Sequence, residues 1–214
     1  MITPKIDAII ESLNPSQVDA VKHRDNHLLV ISCPGSGKTR CLTHRVASLI
    51  LEGINPSNIL CVTFTRKASR EMVDRTRKLL ESINHETDLG SMMIGTFHSI
   101  CLKILRSEGI NHGIADSDKQ KEIIRKILIR YNVDQDFIYD ALHRINYEKA
   151  FGRGPEAIES KLVRDVFQEY ESALHKNKLL DYDDILLRTK KLFEEHPEIK
   201  ARWQKQFTHI LVDE

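Results

Sequence analysis

Eight residues, Ser32-Cys33-Pro34-Gly35-Ser36-Gly37-Lys38-Thr39, constrain this chain more than any others. They follow the apolar run His27-Leu28-Leu29-Val30-Ile31 and precede a helical pattern from Arg40 to Leu51, so the spacing predicts a buried parallel strand, a glycine loop and a helix. In such a loop Gly35 and Gly37 let consecutive backbone N–H groups turn inward, where the helix N-terminus adds its partial positive charge to their pull on phosphate oxygens. The ligand this implies is a nucleoside triphosphate. Lys38 would bridge its β- and γ-phosphates, and the Thr39 hydroxyl would sit where Mg²⁺ lies between them. The pattern usually opens on glycine, and Ser32 stands there instead, but the Gly-Lys-Thr end that carries the electrostatics is intact. The alternative is a glycine turn capping an ordinary helix, and the strand predicted before the loop argues against it.

Other segments extend this to a layered α/β fold. Asn14 as N-cap and Pro15 at the first helical position start a short helix with Gln17 on its first turn. Ile59 to Phe64 reads as a second buried strand, followed by a basic helix. From Arg66 to Lys78 that helix carries more positive than negative side chains, with Arg70 and Asp74, and Glu71 and Arg75, spaced for i,i+4 pairs. Met92-Met93-Ile94 reads as a third strand, leading into Gly95-Thr96-Phe97-His98 and another helix. Strands alternating with helices describe a doubly wound parallel sheet with ligand sites at the strands' C-terminal ends. From Asp116 to about Leu180 only helical stripes are found, Ile123, Ile124, Ile127, Leu128 and Tyr131 in one, Ile158, Leu162, Val166, Phe167, Tyr170 and Leu174 in the next. These read as the core of a helical insertion. A last strand, Thr208 to Val212, runs into Asp213-Glu214. Opposite a phosphate-binding loop, that pair would serve as an Mg²⁺-holding carboxylate, Asp213, and a general base for the attacking water, Glu214. On its own, a terminal Asp-Glu is equally a solvated strand end.

Bulk properties narrow the partners less. Lys plus Arg number 32 and Asp plus Glu 31, so any polyanion site must be a local basic face. The four cysteines have no Cys-x-x-Cys spacing and fit a reducing cytoplasm. No apolar stretch reaches membrane-span length, the first residues lack a signal peptide's apolar core, and the ten histidines show no zinc-ligand spacing.

In this order, the segments resemble the N-terminal part of superfamily 1 DNA helicases of the UvrD/Rep/PcrA type. Leu13-Asn14-Pro15-Ser16-Gln17 is similar to the family's Q motif, Thr63-Phe64-Thr65-Arg66-Lys67-Ala68 to motif Ia and Gly95-Thr96-Phe97-His98 to motif Ib. Asp181-Tyr182-Asp183-Asp184 and His209 to Glu214 resemble segments before and at motif II. The resemblance implies a RecA-like P-loop NTPase sheet over residues 1–112 and 181–214, with an all-helical subdomain inserted at 113–180. It implies ATP with Mg²⁺ as ligands, held by Ser32, Cys33, Pro34, Gly35, Ser36, Gly37, Lys38 and Thr39. It also implies that Gln17 reads the adenine edge and that Arg40 stacks on the ring. Phe64, Thr65, Arg66, Thr96, Phe97 and His98 would contact single-stranded DNA or 3′-tailed duplex DNA, and the chain would be a monomer with no membrane contact. Phe64 suits base stacking, and the three polar side chains Thr65, Thr96 and His98 suit phosphate contact. The other reading of Phe64 and Phe97 is as core aromatics capping the sheet. Arg66 stands where the family usually has Asn, and Cys33 where a small residue is common.

Motifs III to VI and the second motor domain, with its γ-phosphate arginines, are absent from this sequence. The expectation is therefore an ATP- and single-strand-binding portion of a helicase that hydrolyses ATP slowly or not at all and unwinds nothing. The competing expectation is a non-catalytic module that binds nucleic acid or a protein.

Overall fold

The computed structural model describes residues 3–25 and 27–213. It is mostly helical, with a small parallel sheet. In chain order the elements are α1 (Thr3–Ile10), α2 (Pro15–Lys22), α3 (Lys38–Leu51), β1 (Ile59–Thr63), α4 (Arg66–Glu81), β2 (Met93–Gly95) and α5 (Phe97–Ser107). Then come β3 (Gly113–Ile114), α6 (Ser117–Arg130), α7 (Ile138–Ala150), α8 (Lys161–Lys176), β4 (Leu179–Leu180), α9 (Tyr182–Glu195), α10 (Pro197–Gln206) and β5 (His209–Asp213). The chain divides into two compact units, one of Met1–Ile100 with Glu198–Glu214, the other of Cys101–Pro197.

The first unit holds a three-stranded parallel sheet in the order β2-β1-β5. β1 lies in the middle, with Cys61 opposite Ile94 on one side and Leu211 on the other. Its middle place supplies ladders at both edges, and the helices packed on the sheet bury most of its side chains, which suits its nearly unbroken apolar sequence. Ile59 and Cys61 are fully buried. α3 packs into the same core through Val46, Ala47, Leu49 and Ile50, joined by Met72 and Leu80 of α4 and by Ile9 and Val21 from α1 and α2. α2 starts as the sequence requires. Asn14 accepts from the Gln17 backbone N–H at 2.9 Å, the Gln17 side chain accepts from the Asn14 N–H at 3.1 Å, and Pro15 follows the cap.

Four expectations need correction. His27–Ile31 is not a strand: it makes no backbone ladder with any described residue, and Leu29 and Ile31 are 82% and 86% exposed. An apolar run becomes a buried strand only if another strand supplies its hydrogen bonds, and none of the described strands borders it. The third strand lies one residue later than expected, at Met93–Gly95. On α4, Glu71 and Arg75 pair as their spacing suggests, but Asp74 turns to Arg77 at 3.2 Å rather than to Arg70. In the stretch expected to be purely helical, Leu179–Leu180 forms a two-residue parallel pair with Gly113–Ile114, too short to leave a periodic signal.

In the second unit α6, α7 and α8 pack around Ile124, Ile127, Leu128, Ile145, Val166, Phe167 and Tyr170, all at most 1% exposed. Both stripes face this core except at their margins, where Tyr131 is 36% exposed and Leu162 half-buried. A charged cluster sits inside. Lys149, 3% exposed, places its ammonium 2.8 Å from Asp181, 2.7 Å from Asp184 and 2.6 Å from Glu171. The Tyr170 hydroxyl donates to Asp181 at 3.0 Å, while the other Asp181 oxygen caps α9 by accepting from the Asp184 N–H at 2.9 Å. Burial works to lower the Lys149 pKa, but Asp181, Asp184 and Glu171 outweigh it and leave the value above that of an ordinary lysine.

Candidate functional site

The loop before α3 is built by two left-handed glycines, Gly35 at φ 77° and Gly37 at φ 90°, the latter also the N-cap of α3. Gly37 is required twice over, because a Cβ there would lie 2.9 Å from Gln17 Nε2. Gln17 reaches across to donate that Nε2 to the Ser36 carbonyl at 3.1 Å, while its Oε1 closes the α2 capping box. Its amide thus braces the loop against α2. Within the loop Ser36 Oγ donates to Ser32 Oγ at 2.7 Å, and Lys38 folds back so that its ammonium donates to the carbonyls of Ser32 and Cys33, each at 3.2 Å. Cys33 is exposed and free.

Thr39, the second residue of α3, donates its hydroxyl to both carboxylate oxygens of Asp213, at 3.2 and 3.3 Å. Asp213 closes β5, and the parallel register sets it beside Thr63, the last residue of β1. The C-terminal end of the sheet and the N-terminus of α3 therefore converge on one hydroxyl and one carboxylate, oxygen donors of the kind Mg²⁺ takes. Glu214 lies outside the described residues. Arg40 points elsewhere, with Nη2 donating to the carbonyl and hydroxyl of Ser12 at 3.2 and 2.7 Å. Sequence reasoning did not single out Ser12, and nothing in its surroundings marks it. The Gln17 brace had one legible trace, the requirement for glycine at 37.

The second group of candidates lies off the ends of β1 and β2. These strands pair in parallel with Val62 opposite Gly95, so the segments leaving them emerge from the same edge of the sheet. Phe64 is 82% exposed and Phe97 55%, which rules out the core-aromatic reading of both. Thr65 caps α4 by accepting from the Ala68 N–H at 3.1 Å, which leaves its hydroxyl proton available. Thr96 does the same for Ser99 at 3.3 Å, and His98 is half-buried. Among the described residues Arg66, Lys67 and Arg70 make no ion pair, so the first turns of α4 present uncompensated positive charge beside Phe64.

The sequence profile of the UvrD/REP helicase N-terminal domain matches residues 13–214, nearly the whole chain. The chain belongs to this family. UvrD/REP relatives include the ATP-dependent DNA helicase PcrA of Bacillus subtilis, 37% identical over 222 residues, covering 96% of this chain and 29% of the relative. The PcrA of Staphylococcus aureus strain Mu50 is 36% identical over 225 residues, covering 98% and 30% respectively. The chain thus spans under a third of the length of these curated relatives. Among the described residues no helix is long and apolar enough to cross a membrane.

Proposed function

We propose that the chain is the ATP- and single-strand-binding portion of an ATP-driven DNA helicase of the UvrD/REP family, with the P-loop at Ser32–Thr39. The observation that carries this reading is the pairing of Thr39 with Asp213 across 174 residues, which brings the loop to the acidic end of β5. On binding, triphosphate oxygens would replace the Ser32 and Cys33 carbonyls as acceptors for Lys38, and the loop N–H groups with the α3 N-terminus would complete the anion seat. Thr39 and Asp213 would hold Mg²⁺, which neutralises charge developing on the phosphates. Glu214 would orient and deprotonate the attacking water. Gln17 would read the adenine edge with the second Nε2 proton and the remaining lone pair of Oε1, so its hydrogen bond to the Ser36 carbonyl would tie base recognition to the loop. Arg40 would exchange Ser12 for the ring.

Single-stranded DNA would run across the C-terminal edge of the sheet. Phe64 and Phe97 would stack on bases, while Thr65, Arg66, Thr96 and His98 would contact phosphates. In domain terms, residues 1–112 and 181–214 would form the RecA-like motor and 113–180 the inserted helical subdomain. The whole protein would couple ATP turnover to movement along one strand. This portion by itself would bind ATP and one DNA strand without unwinding a duplex.

The test is titration of the purified chain with a fluorescent ATP analogue and Mg²⁺, beside Lys38→Ala. Saturable binding that Lys38→Ala weakens at least tenfold supports the assignment. Binding unaffected by that change, or none from a cooperatively folded chain, overturns it.

A further inference from the structure

In the second unit α7 commits its apolar face to the core, through Ile138, Ala141, Leu142 and Ile145. A second row on the same helix is aromatic and faces water. Tyr139, His143, Tyr147 and the C-cap Phe151 follow one another at every fourth residue, successive positions of one ridge about 6 Å apart along the axis. All four are exposed, Tyr139 by 68%, Tyr147 by 53% and Phe151 by 64%. Cations lie against these rings. The Lys121 ammonium stands 5.4 Å from the centre of the Tyr139 ring, and the Arg153 guanidinium 4.9 Å from that of Phe151 and 5.8 Å from that of Tyr147. Tyr147 and Phe151 are themselves 5.1 Å apart, tilted by 57°. Two carboxylates of the same helix are turned to arginines, Glu148 to Arg153 at 2.7 Å and Asp140 to Arg144 at 3.0 Å, whereas Lys121 makes no ion pair among the described residues.

We infer that this ridge is a stacking surface for unpaired nucleobases, a single-strand contact additional to the one proposed at the ends of β1 and β2. It rests on that reading only for the choice of ligand. The two groups are distinct in the fold, because the ridge lies wholly within the unit Cys101–Pro197 and Phe64, Thr65, Arg66, Thr96, Phe97 and His98 all lie in the other. Every position of the row carries a flat ring, and every base has a π face to lay on one, so the contact would be indifferent to sequence. Phosphates of the same strand would meet Lys121 and Arg153 where these already lie against the rings, a cation in that place serving ring and phosphate together. A duplex is a poor match, since its bases are stacked on one another and offer no free face. A protein partner is also matched less well, because the centre of such a contact is built from side chains packed into pockets, whereas these rings stand in a row on the convex side of a helix.

The experiment irradiates the full chain with an oligothymidylate carrying 5-iodouracil and maps the cross-linked peptides by mass spectrometry. Cross-links at Tyr139, Tyr147 or Phe151 are expected. Fluorescence anisotropy then follows the same oligonucleotide on the chain carrying Phe64→Ala and Phe97→Ala, which silences stacking at the strand ends. Saturable binding should remain there and weaken about tenfold or more when Tyr147→Ala and Phe151→Ala are added. These two rings are exposed, so the fold should survive, and unchanged circular dichroism checks this. Lys121→Gln should flatten the fall of log K with log salt by about 0.7, the share of one phosphate contact on a single strand. No cross-link on α7, no binding left without Phe64 and Phe97, or binding indifferent to the loss of Tyr147 and Phe151 overturns the inference. So does a blunt duplex that competes as well as the single strand. Self-association, read by light scattering, that disappears with Tyr147→Ala and Phe151→Ala while oligonucleotide affinity stays would assign the ridge to a protein contact and also overturn it. If this inference fails alone, Phe64→Ala still weakens binding by the parent chain; if the strand-end reading fails alone, Phe64→Ala is silent and the cross-links on α7 remain.

Discussion

Lys149→Met removes the one cation from a cluster of three carboxylates while nearly preserving side-chain volume. Glu171 is 40% exposed at its side chain and can turn toward water, so the cost falls on Asp181 and Asp184, at 1% and 10%. Breaking a buried pair by deleting one partner costs about 3–5 kcal/mol, because the charges left behind have already lost their water. That corresponds to about two to four orders of magnitude in the folding equilibrium. Urea unfolding followed by far-ultraviolet circular dichroism at pH 7.5 would show it. A cycle with Asp181→Asn isolates the pair: Asn still offers a carbonyl to cap α9, and the double variant should be less destabilised than the sum of the singles by about 1–3 kcal/mol.

The pH dependence has a definite sign. In the parent chain the Lys149 pKa is raised above its unfolded value, so its contribution is fully present below about pH 10.4 and is lost as pH climbs through the folded value. In Lys149→Met the stranded carboxylates take up protons more readily folded than unfolded, so the variant's deficit should shrink from pH 8 to pH 5. A cost below about 1 kcal/mol at pH 7.5, or strict additivity in the cycle, would refute the view that these charges depend on one another.

Three further outcomes follow from the first unit. Phe64→Ala should weaken oligothymidylate binding, measured by fluorescence anisotropy, by the worth of one stacked base, about 1–3 kcal/mol, with circular dichroism unchanged because the ring is exposed; unchanged affinity would remove Phe64 from the interface. Gly37→Ala must hold a positive φ and displace Gln17, so it should lose ATP-analogue binding and at least about 1 kcal/mol of stability in urea, and a neutral result would mean the loop is shaped otherwise. Leu29→Ser with Ile31→Thr should change stability by no more than about 0.5 kcal/mol per site while reducing self-association by light scattering; a loss above about 2 kcal/mol would show these side chains buried in solution.

What could be read from the sequence was whatever is decided within a few residues. The Asn14-Pro15-Gln17 start of α2, the glycines at 35 and 37 and the apolar stripes of α6 and α8 are local decisions of backbone conformation or helical period, and each leaves its mark at fixed spacing. Partners chosen at long range leave none. Nothing near Ser12 foretells Arg40, and no motif foretells that Lys149 will meet Asp181. The only trace there is a lysine on a helix whose neighbours Ala141, Leu142 and Ile145 are buried.

The run Leu28-Leu29-Val30-Ile31 shows where such reading stops, and β1 is its control. Both are short aliphatic stretches of the same character, yet Ile59 and Cys61 are fully buried and Leu29 and Ile31 are among the most exposed apolar side chains described. The difference lies in the neighbours. β1 has β2 and β5 to complete its ladders, whereas the run before the loop has no described strand at either edge. An aliphatic run states only how much a segment would gain from being covered, at about 25 cal/mol per Å² of apolar surface. Whether that gain is realised depends on a second strand whose backbone meets the first. The loop that follows keeps its shape without such a strand, because Gln17 braces it from α2 and Thr39 ties α3 to Asp213. The geometry of the loop at Ser32–Thr39 is therefore held from the helix side, and Gln17 and Asp213, beside Gly37 itself, are the positions where a single substitution should disturb it most.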